Sequence, residues 1–346
     1  MKAVKKQTPS AGADIVDVPI PKVGGDAVLC KVLAASVCGT DVHIYNWDNW
    51  AQKRIKPPLI FGHEFCGEVV ETGPKVKHLR PGDRISAETH IPCHTCKQCK
   101  SGQMHICKNL KILGVDTDGC FAEYAILPEI CCVKNAPSLP AEIASVQEPL
   151  GNAVYAVTES DVAGKTIAIF GDGPTGMFAN IVARAYKAEK IFAVGAQSYR
   201  LDILKRLNPD IVIDARTENA SEIIMGATGG DGADVVIEMS GSPKAIHAGL
   251  KVVSRGGIFT FFGIPSKPVE LDIAEEIIFK GIKMNAIVGR KMFETWTQVA
   301  FLLESGRIDL KPVITHTFAL EKIASAMELL KPDNIQAGKI ILKPHP

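Results

Sequence analysis

Residues 165–195 constrain this chain more than any other stretch. They read KTIAIF, then GDGPTG, then MFANIVARAYKAEK, then IFAVG. Thr166–Phe170 is a short apolar run rich in β-branched residues, which suits a strand buried on both faces of a parallel sheet. Gly171, Gly173 and Gly176 follow at G-x-G-x-x-G spacing. Residues 177–186 then read as a helix and 191–194 as the next strand. Without that context the spacing would mark no more than a glycine-rich turn. With it, the stretch has the strand–turn–helix–strand form of a dinucleotide fingerprint. The glycines allow a tight turn, a close approach of backbone to pyrophosphate, and close helix–strand packing. The helix start presents free N–H groups to the phosphates.

The alternation continues downstream. Helical patterns at 199–207, 222–225 and 243–253 lead into apolar strands at 210–213, 233–238 and 257–262, and 283–288 makes a sixth strand. Six strands with intervening helices form two βαβαβ halves, a doubly wound parallel sheet in an α/β chain. One position departs from the fingerprint. An Asp or Glu is expected at the end of the second strand, about 20 residues on, to hold the ribose diol of NAD. Gly195 stands there. Loss of that carboxylate removes an acceptor and a charge that would repel a 2′-phosphate. Ser198 and Arg200 lie just beyond and could bind such a phosphate, so Gly195 leans toward NADP. Arg200 could equally cover the adenosine of NAD.

Ahead of this region the chain changes character. Residues 1–148 are rich in Pro, Gly and short apolar runs, with candidate strands at 27–34, 65–72 and 83–87 and no sustained helical period. Two clusters there carry chemistry. Cys38 lies in CGTDVH, and His63 and Glu64 lie in GHE. A catalytic zinc needs about three protein ligands and an open position, and these three residues could supply them. The alternative is a buried cysteine beside a surface His-Glu pair. Cys93, Cys96, Cys99 and Cys107 crowd into fifteen residues, the pattern of a closed, structural four-thiolate zinc site. An iron–sulfur cluster is the rival, although the ferredoxin run would place its fourth cysteine sooner and follow it with Pro rather than Lys108.

The ten cysteines do not resemble a disulfide framework, because four of them crowd together. Cys30, Cys66, Cys120, Cys131 and Cys132 read as small buried hydrophobes. Trp47 and Trp50 could wall a pocket or pack a core. The N-terminal MKAVKKQTPSAGAD lacks the apolar centre of an export signal, and no apolar run is long enough to span a bilayer. Together these features lead us to expect a cytoplasmic protein. Its net charge of +1, with both signs mixed, gives no footprint for nucleic acid or an anionic membrane. With 346 residues the chain has room for two domains. Two amphipathic stretches, 293–303 and 320–330, precede a final apolar strand at 340–342, and this tail is expected to return to the first domain.

Together these residues resemble the zinc-dependent medium-chain dehydrogenase family over the whole chain. The phrases CGTDVHIYNWDNWAQ (38–52), GCFAEYA (119–125), EPLGNAV (148–154), EMSGSPKA (238–245) and GRKMFETW (289–296) are most similar to those of members acting on L-threonine. The resemblance implies a GroES-like catalytic domain of residues 1–150 and 292–346. A Rossmann domain of residues 151–291 would be inserted in it, with assembly as a homotetramer. It implies two zinc ions per subunit, one at Cys38, His63 and Glu64, and NAD or NADP as cofactor. Glu148 matches an acid that tunes or joins the catalytic metal, and Thr40 and His43 match a proton relay. Cofactor contacts match Thr175, Gly195, Arg200, Phe262, Gly263, Ile264, Ile287 and Val288. Family members acting on threonine carry an acid where this chain has Gly195. The implied reaction oxidises the secondary hydroxyl of L-threonine to 2-amino-3-oxobutanoate. Oxidation of a polyol or secondary alcohol such as sorbitol or butanediol with NADP is the alternative. Glu88, His90 and Arg290 are candidates for the amino-acid head group. A non-enzymatic nucleotide-binding protein on the same fold would be expected to lose metal or relay residues, and here all are present.

Overall fold

The computed structural model describes residues 1–345. The chain divides into two compact units, Met1–Pro149 with Ile314–Pro346, and Leu150–Val313.

In the first unit a seven-stranded sheet runs in the order Cys132–Lys134, Arg84–Ala87, Glu64–Thr72, Ala27–Ser36, Lys339–Lys343, Ile314–Ala319, with Tyr124–Pro128 also pairing with Ala27–Ser36. Antiparallel pairing sets Ser36 opposite Glu64 and Ile341 opposite Ser36. Three strand ends from distant parts of the sequence therefore meet at one place. Smaller sheets join Asp14–Asp17, Lys2–Lys6 and Leu59–Ile60, and pair His90–Ile91 with Lys111–Ile112. Inward residues of the strands, among them Val32, Ile85, Leu127 and Ile340, pack with Phe61, Phe65 and Phe121 into one core. Phe61 meets Phe121 edge-on at 5.2 Å between centroids, the geometry their ring quadrupoles favour. Between these strands lie short helices such as Gly39–Asn46 and Asn49–Arg54, too short to leave a sustained period in the sequence. The stretch at 320–330 likewise breaks into a 3₁₀ turn, Leu320–Lys322, and a helix, Ile323–Glu328.

The second unit is a six-stranded parallel sheet in the order Ile211–Asp214, Lys190–Gly195, Thr166–Phe170, Ala233–Glu238, Val253–Phe261, Lys283–Ala286. Numbered by position in the chain this is 3-2-1-4-5-6, so the order reverses between Thr166–Phe170 and Ala233–Glu238. The inner strands Thr166–Phe170, Lys190–Gly195 and Ala233–Glu238 are largely apolar on both faces because both are covered, with Phe170, Phe192, Val236 and Phe259 buried in a common core. The helix after the glycine-rich turn is Pro174–Ala185, three residues earlier than its apolar pattern suggests. Pro174 at its first position has no N–H to leave unsatisfied and a φ already set for the helix.

The second boundary differs from the expectation that residues 292–346 return together. Residues 292–313 belong to the second unit, and the return begins only at Ile314; Pro346 lies outside the described residues. Helix Glu294–Glu304 buries Trp296, Val299 and Leu302. The 3₁₀ turn Lys311–Val313 lies against helices Pro174–Ala185 and Ser198–Arg206 of the same unit. An amphipathic helix reveals that it must be covered, but not by which core.

Candidate active site and metal centres

The Cys38–His63–Glu64 cluster is assembled by the register of the first unit. Cys38 caps helix Gly39–Asn46 just after strand Ala27–Ser36, and Glu64 opens the neighbouring strand. The three ligand atoms lie within 4.8 Å of one another. His63 is 5 % exposed and Glu64 fully buried, which rules out a surface His-Glu pair. Asp41, also buried, accepts from the Cys38 N–H at 2.9 Å, and its other oxygen lies 3.6 Å from Nδ1 of His63. Ser36 Oγ donates to Oε2 of Glu64, and Nζ of the buried Lys339 pairs with the same oxygen. Nζ of Lys339 also donates to the Val37 carbonyl at 2.9 Å.

Buried Glu64 Oε1 has no hydrogen-bond partner. A fully buried carboxylate oxygen is costly to leave so. The electrostatics agree. Burial opposes a charge on His63, yet the negative charges of Asp41 and Cys38 outweigh it and push the imidazole up to about 10. Burial pushes Asp41 up to about 6. The site draws a proton onto His63 because its anionic groups outweigh its cations. A thiolate, an imidazole and a carboxylate with an open oxygen form a zinc donor set, so the residues fit a divalent cation.

Glu148 is buried beside this cluster, and its charge acts on both His63 and Lys339. Thr89 Oγ1 donates to Glu148 at 3.2 Å. Glu88 and His90 flank Thr89, with Glu88 accepting from the His90 N–H at 2.9 Å. Thr40 and His43 share one face of helix Gly39–Asn46, three residues apart. The exposed His43 ring has Nδ1 2.5 Å from Asp48 Oδ2. Asp48 also caps the next helix through the N–H groups of Trp50 and Ala51, both at 3.0 Å. Trp47 packs on the core, and Trp50 is exposed with its ring 6.0 Å from His43.

The four-cysteine cluster is built differently. Cys93, Cys96, Cys99 and Cys107 bring their sulfurs within 4.8 Å of one another on a single loop. Cys96 lies 3.5 Å from Cys99 and 3.8 Å from Cys107, far beyond a disulfide bond. Four sulfurs at Zn–S bonds of about 2.3 Å would stand about 3.8 Å apart in a tetrahedron, which matches. That spacing holds one ion and is too tight for a multi-iron cluster. Backbone N–H groups of Cys93 and Asn109 both donate to Cys107 at 3.3 Å. The Thr95 hydroxyl, donating to Cys93, leads the bonds that hold this thiol down to about 5. All ten cysteines are free, and Cys30, Cys66, Cys120 and Cys131 are buried as expected, with Cys132 partly so.

In the second unit the three glycines have separate reasons. Gly171 has φ +128°, which only glycine adopts readily. A Cβ on Gly176 would lie 2.1 Å from the Gly171 carbonyl, so the helix packs too close for a side chain. Gly173 has nothing within 4 Å of where its Cβ would be, which leaves its backbone open to a phosphate. Thr175 stands in the first turn of the helix. Across the switch point, Gly263 could carry no Cβ, which would meet Gly241 N at 2.1 Å. The N–H groups of Phe262 and Gly263 both donate to the Glu238 carbonyl. Ile264 and Val288 are exposed, while Ile287 is buried. The turn therefore fits a dinucleotide by the criteria its sequence suggested. Arg290 is buried within the same unit, donates to Asn152 at 2.8 Å and lies over Gly151.

At Gly195 the structure adds a residue that the motif did not single out. Asp172, the second residue of GDGPTG, reaches across to the end of the second strand. Its Oδ2 accepts from the N–H groups of Ala196 at 2.6 Å and Gln197 at 2.7 Å. Ser198 opens the following helix, Ser198–Arg206, and Arg200 Nη1 lies 4.0 Å from Asp172 Oδ1. Lys339, Ser36 and Asp41 were likewise missed. The only trace of Lys339 in the sequence is a lysine heading an otherwise apolar final strand.

Comparison with known proteins places this architecture. Residues 24–138 match the alcohol dehydrogenase GroES-like domain, and residues 174–305 match the zinc-binding dehydrogenase domain. The chain is 50% identical over 345 residues to the L-threonine 3-dehydrogenase of Bacillus velezensis, covering 99% of each. A zinc-binding dehydrogenase of Sinorhizobium meliloti bound to NADP superposes with TM-score 0.91 at 28% identity, covering 99% of both chains. An alcohol dehydrogenase of Escherichia coli CFT073 complexed with NADH does so at TM-score 0.91 and 25% identity, also over 99% of each. With a GroES-like unit, a Rossmann sheet, two zinc-fitting clusters and a dinucleotide turn, the chain belongs to the zinc-binding alcohol dehydrogenase family, enzymes that use NAD(P).

Proposed function

We propose that this enzyme oxidises the 3-hydroxyl of L-threonine to 2-amino-3-oxobutanoate. Full-length identity of 50% to an L-threonine 3-dehydrogenase carries the reading, together with a buried Cys38–His63–Glu64 set that fits a cation. When bound, zinc at that set supplies a Lewis acid that acidifies the hydroxyl, and the nicotinamide supplies the hydride acceptor. Cys38, His63 and Glu64 would hold the catalytic ion, with Glu148 beside them to tune it. Cys93, Cys96, Cys99 and Cys107 would hold a structural ion. Thr40 Oγ1 takes the hydroxyl proton and passes it to Nε2 of His43, whose other nitrogen is fixed by Asp48. The exposed His43 ring then returns the proton to water, a task suited to an imidazole, which can carry a proton on either nitrogen.

Gly171, Gly173, Thr175 and Gly176 cradle the pyrophosphate, with Gly195, Ser198 and Arg200 at the adenosine end. Phe262, Gly263, Ile264, Ile287 and Val288 flank the nicotinamide end. Glu88 is assigned to the substrate ammonium, with His90 holding its carboxylate in place. Arg290, committed to Asn152, is left out of the head-group site. Ten free cysteines, four of them gathered for a metal, support a cytoplasmic enzyme. Met284 on the edge strand, with Ile273, Ile278 and Phe279 exposed nearby in sequence, supports assembly as a homotetramer.

The test is reduced-nicotinamide absorbance with zinc-loaded protein, offering L-threonine, sorbitol and 2,3-butanediol in turn. Turnover of threonine well above both others is expected. Oxidation of a polyol or diol with threonine inert would overturn the substrate assignment.

A further inference from the structure

We propose that Asp172 supplies the ribose-reading carboxylate in this chain and makes the pocket selective for NAD over NADP. The inference rests on the dinucleotide reading above and reverses the lean that Gly195 alone suggests. In this fold a carboxylate at the end of the second strand accepts from the ribose diol and repels a 2′-phosphate. A Cβ built on Gly195 would lie 2.7 Å from Asp172 Cβ, 2.8 Å from its Oδ2 and 2.9 Å from Leu201 Cδ2. The Asp172 side chain therefore occupies the volume that a strand-end acid would enter. The two positions exclude each other, so an acid in the glycine-rich turn requires glycine at the strand end. The carboxylate has changed its anchoring strand but not its place.

The anchoring is firm. Asp172 is 8 % exposed, and Oδ2 is fixed by two backbone N–H groups of the turn into the next helix. Oδ1 keeps acceptor capacity for the ribose hydroxyls. Gln197, which caps that helix, makes no side-chain cap bond, so Asp172 also serves the turn. Arg200 is the cation nearest to hand for a 2′-phosphate, but it lies mostly buried beside Asp172, with Nη1 4.0 Å from Oδ1. A phosphate dianion brought to Arg200 would meet the Asp172 charge at once. Arg200 thus balances Asp172 and covers the adenosine end without creating a phosphate site.

Calorimetric titration of the zinc-loaded protein with NAD and with NADP tests this directly, without reference to turnover. NAD should bind about 100-fold more tightly than NADP, as a like-charge juxtaposition demands. Asp172→Ser should shrink that ratio to about fivefold or less, mainly by a gain in NADP affinity, because Arg200 then meets the phosphate unopposed. The swap Asp172→Gly with Gly195→Asp should restore NAD selectivity, and it decides the matter even if Asp172→Ser fails to fold. Equal or tighter binding of NADP by the unaltered protein would overturn the proposal while leaving the dehydrogenase reading intact. So would a folded Asp172→Ser protein with an unchanged ratio. Failure of both nucleotides to bind would overturn the proposal and the dinucleotide reading together.

Discussion

The two metal clusters of the first unit solve one problem in opposite ways. The four cysteines lie on one fifteen-residue stretch, three of them partly buried and Cys107 buried, with backbone N–H groups and Thr95 donating to the sulfurs. Little beyond the loop is needed to build the site. At the other cluster, Cys38 and the adjacent pair His63-Glu64 come from two separate places and are nearly buried. They are held by Ser36 and Asp41, which flank Cys38 in the chain, and by Lys339 from the far end of the sequence. A closed thiolate shell needs only charge and reach, and its ion acts as a local staple. A catalytic site must leave a ligand position open while keeping its donors rigid, so it borrows rigidity from the sheet. The difference predicts that damage to the two clusters will appear in different measurements.

The sharpest break is Cys38→Ser. Turnover should fall by about 1,000-fold or more, since a Lewis acid supplies several kcal/mol to the transition state. Zinc should drop from two per chain to one, by elemental analysis, with the thermal midpoint little changed. A variant that kept both ions and full turnover would remove Cys38 from the site. Cys96→Ser should do the reverse. The catalytic ion stays, while the unfolding midpoint falls by about 5–10 °C as a local staple is lost. If calorimetry showed no fall, the loop would be held by something other than its metal.

Lys339→Met sharpens the comparison at its most specific point. Glu64 loses the cation that fixes Oε2, and zinc affinity at the first cluster should weaken by about 10–100-fold in chelator competition. Affinity at the four cysteines should not move, and Lys339→Arg should recover part of the loss. Asp48→Asn should have the smallest effect, about a tenfold fall in kcat at unchanged zinc content, because it disturbs only the orientation of a proton carrier. An equal fall in zinc content would show that Asp48 supports the metal and not the relay.

The same contrast governs what could be read in advance. The four cysteines and the glycine-rich turn are contiguous, so spacing carries their geometry, and the six parallel strands followed from alternation. Cys38, His63 and Glu64 were legible as residue types, but their meeting depends on the register that sets Ser36 opposite Glu64. Lys339 was invisible because nothing local distinguishes a lysine at a strand start from a solvated one; only the fold shows it buried on a carboxylate. Asp172 sat in plain view at an unconstrained position of its motif. Its role emerges only when the strand end at Gly195 comes into contact with it. The boundary at Ile314 was missed because helix Glu294–Glu304 advertises an apolar face without naming its partner.

The return of the chain to its first unit also sets an order of events at the ribosome. Cys38, His63 and Glu64 emerge early, whereas strand Lys339–Lys343 comes some 270 residues later, after the whole of Leu150–Val313, a unit with its own core. Until that strand arrives, the end of Ala27–Ser36 near Ser36 is paired on one side only and Glu64 lacks its cation. A nascent or truncated chain thus carries its negative ligands without the one cation that fixes Oε2 of Glu64. The last strand closes an edge of the sheet and sets the charge balance of the metal site in one step. Correct metal capture is thereby tied to completed synthesis, and a chain released early is left with an open strand edge for quality control to find.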